Sequence, residues 1–233
     1  AVHLHLYYVD LSEEFKTYFK NLPGIFDLYI TVVDQKIKKS VLQNFSDCGA
    51  RDVDVTVVAN IGRDIGPLLF GLKEKLFSKE YEVIGHFHSK KSISTDNDMG
   101  DRWRKFLMEN LVGDKEVAKS VLSLFNDSNI GLLFPSDKHS LDIGENRAYL
   151  DKLCETLGLP TIKETPIVPI GNMFWARIGA IKELFELDKT KILQQEPLPY
   201  DGSYMHALER ITPDLVRKNK YIYKTVYKRG TQW

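Results

Sequence analysis

The chain has 233 residues, of which 43% are hydrophobic and 27% charged, an ordinary balance for a soluble globular protein. Lys and Arg together number 32, as do Asp and Glu, so no overall positive charge would attract nucleic acid or anionic lipid. The two cysteines, Cys48 and Cys154, are too few for a disulfide framework and indicate a reduced, cytoplasmic setting.

The first half of the chain alternates between strand-like and helical patterns. Period-two alternation with β-branched and aromatic residues predicts four strands, at 2–9, 26–33, 52–58 and 81–87. Apolar residues at helical spacing predict helices between them, at 12–21, 35–45 and 66–77. This order predicts an α/β fold with a mostly parallel, Rossmann-type sheet, right-handed crossovers and helices on both faces.

The second half is less regular. Helices are predicted at 101–111, 115–126 and 145–157, in a short segment up to about 187, and from about 203 onward. Strands are predicted at 130–135 and 221–227. A proline-rich connector at 160–169 leads into GNMFWAR, 171–177, which has the composition of a sugar-stacking loop, with plain core aromatics as an equal alternative.

The sequence contains no segment that would divide it into separate domains. No repeat, low-complexity tract or linker divides it, so we interpret residues 1–233 as one domain with two halves, 1–92 and 93–233. No apolar run reaches the roughly 20 residues of a bilayer span. Because the chain starts inside a predicted strand without Met or a signal peptide, we expect a fragment of a longer protein. Membrane contact would then come only through missing regions or other subunits.

Polar side chains follow three of the predicted strands at their carboxyl ends. Strand one is followed by Tyr8 and Asp10, strand three by Asn60, Gly62, Arg63 and Asp64, and strand four ends in His86 and His88 before Lys90 and Lys91. Ligands of open α/β sheets sit outside the carboxyl ends of the strands, so we expect these groups to share a site. Their positive charge favours an anionic ligand.

The segment NIGRDIG, 60–66, has the composition of a strand-to-helix turn. Gly62 permits a tight backbone, Arg63 can bond a phosphate or carboxylate through two N–H groups, and Asp64 can cap the following helix. The alternative is a capped helix start with a salt bridge. The chain has neither GxGxxG nor GxxxxGK[ST], which disfavours dinucleotide and Walker-type phosphate binding.

The histidine pairs are a second candidate feature. His86 and His88, two residues apart on a strand, point to one face and could ligate a divalent metal or donate to a diphosphate; a structural role is the alternative. The lysines that follow favour the anionic ligand. His3 and His5 form another pair, but they lie at the start of strand one, and we expect them to be ordinary sheet residues.

The second half supplies further candidates. In GNMFWAR these are Asn172, Trp175 and Arg177. Asp201 precedes a predicted helix and is either an N-cap-region residue or a catalytic base, and Glu209 lies within that helix. The segment around Trp103 is either an amphipathic helix with a basic face or a wall of the anion site.

Several of these stretches together resemble one family, that of rhamnan synthesis protein F. They are AVHLHLYYVDL, FDLYIT, NIGRDIGPLLFGLK, HFHSKKS, GDRWRKFLMENL, IGLLFP, GNMFWAR and DGSYMHALER. The resemblance runs in order through nearly the whole chain. It implies a glycosyltransferase-type protein of bacterial cell-wall and surface polysaccharide assembly, similar in turn to the GT-A glycosyltransferases, and hence a GT-A-like sheet.

The resemblance also implies ligands and roles. The donor would be a nucleoside-diphosphate sugar, with dTDP-L-rhamnose suggested by the family, and the acceptor a hydroxyl of a glycan or lipid-linked glycan at the inner face of the cell membrane. By position, the resemblance places Tyr8 and Asp10 at the nucleotide base and Asp201, then Glu209, as the catalytic base. The residues placed at the donor diphosphate are Asn60, Gly62, Arg63, Asp64, His86, His88, Lys90 and Lys91, and those placed at the acceptor are Asn172, Trp175 and Arg177.

The resemblance fails at the metal motif. GT-A enzymes usually end the fourth core strand in Asp-x-Asp, which holds a divalent metal against the donor diphosphate, whereas this chain has His86-Phe87-His88. Imidazoles could ligate Mn²⁺ or Zn²⁺ but are poor ligands for Mg²⁺. Alternatively, the basic residues neutralise the leaving diphosphate without a metal. We favour the second version.

Two other functional classes fit parts of the pattern. Two His-x-His pairs are typical of metal-dependent hydrolases, but only His139 and His206 remain as further imidazoles, and 233 residues is short for a (β/α)₈ barrel. A non-catalytic glycan-binding or scaffolding domain would keep the fold and use Asp201 only as a structural residue.

Overall fold

A computed structural model describes residues 1–89, 91, 97–139, 141–162 and 166–233. The strands in this part of the chain are β1 Val2–His5, β2 Asp27–Val32, β3 Asp52–Val57, β4 Val83–His88, β5 Ile130–Pro135, β6 Phe174–Arg177 and β7 Ile222–Val226. They form one sheet with the order β3-β2-β1-β4-β6-β5-β7. Strand β6 is antiparallel to both β4 and β5, while the other neighbours are parallel. The predicted mostly parallel α/β sheet is confirmed.

Helices cover both faces of the sheet, as predicted. Those described are α1 Ser12–Phe19, α2 Lys38–Phe45, α3 Lys73–Phe77, α4 Asn97–Leu111, α5 Lys115–Ser123, α6 Arg147–Leu157, α7 Ile178–Ile181, α8 Lys189–Ile192 and α9 Tyr204–Lys218. Local signals set several ends. The Asp114 carboxylate caps α5 by accepting two backbone N–H groups, and α6 ends at Gly158 with a left-handed φ of 62°. Among the described residues, no helix is both long and apolar enough to cross a bilayer.

Alternation along the strands divides the core in two. On one face, Val2 and Leu4 of β1 pack with α1, α2, α4 and α5 through buried phenylalanines such as Phe15 and Phe45. The other face packs against α6, α7 and α9, and it is the face that carries His3 and the other polar strand residues. Cys48 and Cys154 are free and buried.

Three predicted elements need correction. Strand one ends at His5, because residues 9–11 already form a helical turn. The helix predicted at 66–77 is divided into a π-helical turn, Pro67–Gly71, and α3. GNMFWAR is not a loop throughout, because its second half is the buried strand β6, whose side chains alternate between the two cores.

Candidate functional site

The sheet has a topological switch point between β1 and β4. From β1 the chain continues to β2 and β3 on one side, whereas β4 leads to β6 and β5 on the other. In open α/β sheets, ligands bind in the crevice outside the carboxyl ends of the strands at such a point. Here His5 and His88 pair across it as the last residues of their strands.

Four histidines meet on one face beside this crevice. In the parallel register His3 lies opposite His86, and His5 lies opposite His88. All four are at least nine-tenths buried. His3 and His5 are residues of the sheet, as expected, but they lie beside His86 and His88 and not at a distant end of the sheet, as their position at the start of strand one had suggested. Because β1 is only four residues long, its start is also close to the site.

Hydrogen bonds join three of these rings, those of His86, His3 and His5, in a continuous chain. His3 Nδ1 lies 3.0 Å from His86 Nδ1, and His3 Nε2 lies 2.9 Å from the Thr31 hydroxyl. That hydroxyl is also 2.9 Å from His5 Nδ1. At the other end, His86 Nε2 lies 3.1 Å from Asp64 Oδ2. We call Asp64, His86, His3, Thr31 and His5 the histidine chain.

Asp64 is the anionic end of the histidine chain. Its Oδ2 atom also accepts a 2.5 Å hydrogen bond from Asn172 Nδ2, and only 14% of the side chain is exposed. Burial by itself raises the pKa of Asp64, but the nearby His88 and the hydrogen bonds from His86 and Asn172 outweigh it and hold the pKa well below its usual range. The prediction that Asp64 caps the next helix was wrong, because that turn has Gly66 at its N-cap without a side-chain bond.

Two left-handed backbone turns flank Asp64. Gly62 and Arg63 have φ values of 79° and 51°, and Gly171 and Asn172 have values of 84° and 54°. A residue other than glycine pays roughly 1–2 kcal/mol for this conformation. Such strain persists where the surroundings enforce it, and it concentrates at functional sites. Asp64 follows one turn directly and is hydrogen-bonded to the other.

Arg63 brings an exposed positive charge to the site. Its Nη1 atom lies 2.8 Å from His206 Nε2, and its Nη2 atom donates to the Pro199 carbonyl at 2.8 Å. Burial, reinforced by the Arg63 charge, lowers the pKa of His206 to about 4, so this imidazole is neutral at pH 7. Within the described residues, no carboxylate lies within ion-pair distance of Arg63, so its charge is left for another anion.

Asp201 is tied to the start of α6. Its Oδ2 atom accepts from the Glu145 backbone N–H at 3.0 Å, and Oδ1 accepts from Asn146 Nδ2 at 2.6 Å. Burial raises its pKa, but these hydrogen bonds and Arg210 outweigh burial and lower the pKa below its ordinary value. The cap of α9 is Ser203, not Asp201. The role of Asp201 as a base stays a prediction.

Glu209 reaches the same edge from α9. Its Oε1 atom accepts from the Gly171 backbone N–H at 3.0 Å, while the Gly171 carbonyl accepts from His88 Nε2 at 2.8 Å. The left-handed turn before β6 thus links Glu209 with the histidines. Its part in the chemistry also stays a prediction.

The carboxyl ends of β1 and β4 are joined across the crevice. The Tyr8 backbone N–H donates to Ser89 Oγ at 2.8 Å. The Lys91 ammonium forms an ion pair with Asp10 and lies 5.1 Å from the centre of the Tyr8 ring. Asn60 is exposed just before the Arg63 turn. Lys90, which we also predicted to bind the donor, lies outside the described residues.

Two of the acceptor-side candidates are not brought to this site. Trp175 is buried on the opposite face of the sheet, where its ring packs edge-on against Phe87 and its indole N–H donates to the Leu111 carbonyl. Arg177 lies opposite Val83 at the amino end of β4 because β6 runs antiparallel. Of the three, only Asn172 contacts the site.

A groove of about 330 Å³ lies at the same edge, beyond β5 and β7. Its lining residues are Phe106, Ser136, Asp137, Lys138, His139, Tyr227, Thr231, Gln232 and Trp233. Trp103 stacks on Trp233 with ring centres 4.7 Å apart. Trp103 also packs so closely on Gly171 that a Cβ atom there would lie 3.1 Å from its ring, so the groove adjoins the site.

The histidine pair does not fit a metal centre. Both nitrogens of His86 are engaged, one with His3 and one with Asp64, so neither nitrogen is left to ligate Mn²⁺ or Zn²⁺. His88 Nε2 donates to a backbone carbonyl. Across the described ranges, no three or more His, Cys, Asp and Glu side chains are grouped to hold a metal ion.

Comparison with known proteins identifies the family. Residues 1–221 match the sequence profile described as rhamnan synthesis protein F. Two curated relatives, each called uncharacterized protein WxcX, come from strain B100 and a second strain of Xanthomonas campestris pv. campestris. Each is 32% identical over 156 residues, which cover 65% of this chain and 22% of the relative, so the chain matches a small part of those proteins. Since the profile spans nearly its whole length, the chain belongs to the rhamnan synthesis protein F family, which implies involvement in polysaccharide synthesis.

Proposed function

We propose that this domain is a glycosyltransferase that moves a sugar from a nucleoside-diphosphate sugar to a hydroxyl of a cell-wall or surface polysaccharide. The family suggests L-rhamnose as the sugar and dTDP-L-rhamnose as the donor. The observation that carries the proposal is the convergence of the Arg63 turn, the histidines of β1 and β4 and the strand ends at one switch point.

The diphosphate would bind at the Arg63 turn. The guanidinium is exposed, and its two hydrogen-bond partners are a neutral imidazole and a carbonyl. A phosphate would therefore be the better acceptor, because a charge-assisted bond is about twice as strong as a neutral one. Lys91, and Lys90 beside it in sequence, would add positive charge.

The nucleoside would lie between the ends of β1 and β4. Tyr7 is 44% exposed and packs edge-on against Tyr8, with ring centres 5.0 Å apart. Such a ring offers a face on which a base can stack. Asp10 would then contact polar atoms of the base or ribose.

The reaction needs one bond made and one broken. The acceptor oxygen attacks the anomeric carbon, the bond from that carbon to the diphosphate breaks, and the diphosphate leaves with the bonding electrons. Arg63 and Lys91 stabilise the charge that develops on the leaving group. The acceptor proton passes to a carboxylate, with Asp201 first and Glu209 second by position. The groove beyond β5 and β7 would receive the acceptor glycan.

The test is calorimetric titration of the chain with dTDP and with UDP. We expect binding of one of them and at least about tenfold weaker binding by Arg63→Ala, since one charged contact is lost. Arg217→Ala is the matched control, because Arg217 is an exposed arginine that pairs with Asp214 on α9. Absence of binding by the unchanged chain would contradict the proposal.

A non-catalytic glycan-binding domain is the second candidate. It is favoured because both oxygens of Asp201 accept hydrogen bonds from the start of α6, as expected of a structural carboxylate. Incubation with a radiolabelled donor and an oligosaccharide acceptor separates the two. Product formation supports the transferase, whereas oligosaccharide binding without donor binding or product supports the binding domain.

A further inference from the structure

The histidine chain is a buried polar structure that the proposed reaction does not use. Its members come from β1, β2, β4 and the Arg63 turn, and its three imidazoles and one hydroxyl are at most 5% exposed. Buried polar groups are retained when they are fully hydrogen-bonded, and such networks rigidify their surroundings. We therefore expect the histidine chain to hold neighbouring residues in place.

When the imidazoles of the histidine chain are neutral, all of its hydrogen bonds can form with one order of donors and acceptors. A carboxylate only accepts, so His86 Nε2 must donate to Asp64. Neutral His86 then has a lone pair on Nδ1, and His3 must donate to it from its own Nδ1. His3 Nε2 is left as an acceptor, so the single hydroxyl proton of Thr31 points to it.

The tautomer of His5, the last member of the histidine chain, follows from the Thr31 hydroxyl. Because its proton is used, the Thr31 oxygen accepts, and His5 donates from Nδ1. The neutrality of His3 and His5 is supported by burial, which lowers the pKa of His3 well below its usual range and that of His5 to about 4. Every donor is thus matched with an acceptor, starting from Asp64.

We infer that the histidine chain is a directional positioning network. The Asp64 carboxylate selects one tautomer in each imidazole, and His3 and Thr31 in return hold Asp64 between the two left-handed turns. The positioning of Asp64 by His3 and Thr31 rests on the proposed function in one respect, because that function assigns the two turns to the diphosphate. The contacts that carry the inference are the four links of the chain and the Asn172 bond to Asp64.

The first experiment is ¹⁵N NMR of the unchanged, histidine-labelled chain at pH 7, which reads the protonated nitrogen of each ring. We expect the proton on Nε2 in His86 and on Nδ1 in His3 and His5. A proton on Nδ1 of His86, or any other order along the chain, overturns the inference. This measurement needs neither a ligand nor a variant.

The second experiment cuts the chain at Thr31. In Thr31→Val we expect His5, beyond the cut, to populate both tautomers, while His3 and His86 keep theirs. Thr31→Ser keeps the hydroxyl and should restore the original pattern. An unchanged His5 spectrum in Thr31→Val overturns the direction of the chain.

The positioning role has its own readout. The backbone amide resonances of Arg63 and Asn172 should shift in Thr31→Val and stay in place in Tyr29→Phe. Tyr29→Phe is a matched control, because it removes a hydroxyl from the same face of β2. The Tyr29 hydroxyl bonds to Tyr81 and not to the histidine chain. Equal shifts in the two variants overturn the positioning role.

Nucleotide affinity then connects the network to the site. Thr31→Val should bind dTDP or UDP about fivefold more weakly, the loss of about one hydrogen bond, and Thr31→Ser within about twofold of the unchanged chain. Unchanged affinity in Thr31→Val overturns the positioning role. If the unchanged chain binds neither nucleotide, the proposed function fails, and the tautomers and amide shifts still decide the inference.

Discussion

His3 and His86 face each other through their Nδ1 atoms, 3.0 Å apart, across the parallel pair of strands β1 and β4. Their rings are stacked, with centres 5.0 Å apart and planes within 18°. Two protonated imidazoles could not occupy this arrangement, because both facing nitrogens would then be donors. The contact therefore makes the sheet sensitive to acid.

We expect the free energy of unfolding to fall as the pH drops from about 6.5 to 4. The folded pKa of His5 is about 4, below the unfolded value of 6.5, so protons bind the unfolded chain first in this window. Above it, both states are neutral and the full stability is present. His5 alone accounts for about 3 kcal/mol over the window, and His3 acts in the same direction.

Urea unfolding at a series of pH values measures this dependence. In His5→Asn, whose amide can still donate to Thr31, the slope should be shallower than in the unchanged chain. Equal slopes in the His5 variant and the unchanged chain would contradict the prediction.

Asn172→Ala should destabilise the fold by about 1–3 kcal/mol, because Asp64 would lose a hydrogen bond in a buried setting. Lys220→Ala is the control, since Lys220 has a comparable φ of 64° but lies outside the site. Thermal unfolding of both variants measures the difference. A loss in Lys220→Ala equal to that in Asn172→Ala would assign the effect to the left-handed backbone alone.

The main sheet could be predicted because alternation is a local property of the sequence. Each strand of the first half carries its own period-two pattern, and the helices between them have clear apolar spacing. Strand β6 was missed because it has only four residues, FWAR, and is held by pairing on both sides. Such a segment contains too little periodicity to distinguish it from a loop.

The candidate site was predicted in part for a related reason. The carboxyl-end rule correctly brought Asp64 to His86 and His88, because it depends only on strand direction. The pairing of His3 with His86 depends on inter-strand register, which one sequence does not contain. A usable signal was present, since two His-x-His repeats on neighbouring parallel strands can align.

Nucleotide binding should not depend on a divalent metal. Both nitrogens of His86 are engaged within the protein, so Mn²⁺ would have to break a buried hydrogen bond to bind there. Calorimetric titration with dTDP or UDP in EDTA and in Mn²⁺ should give affinities within about twofold of each other. A rise of about tenfold or more with Mn²⁺ would show that metal joins the donor site and that the histidine hydrogen bonds rearrange.

Asp201→Asn separates a structural role from a catalytic one. The amide keeps a single acceptor oxygen, so one of the bonds from Glu145 and Asn146 is lost, and we expect a destabilisation of about 1–2 kcal/mol. If Asp201 is also the base, transfer to the acceptor should be abolished while nucleotide affinity stays nearly unchanged. Asn146→Ala is the comparison for anchoring alone, because it leaves the carboxylate but removes the Asn146 bond to Asp201 together with the bonds that Asn146 Oδ1 accepts from the Gly202 and Ser203 backbone N–H groups. A transfer rate that falls equally in both variants, or nucleotide binding lost in step with transfer, would make Asp201 a residue that anchors α6 and leave Glu209 as the candidate base.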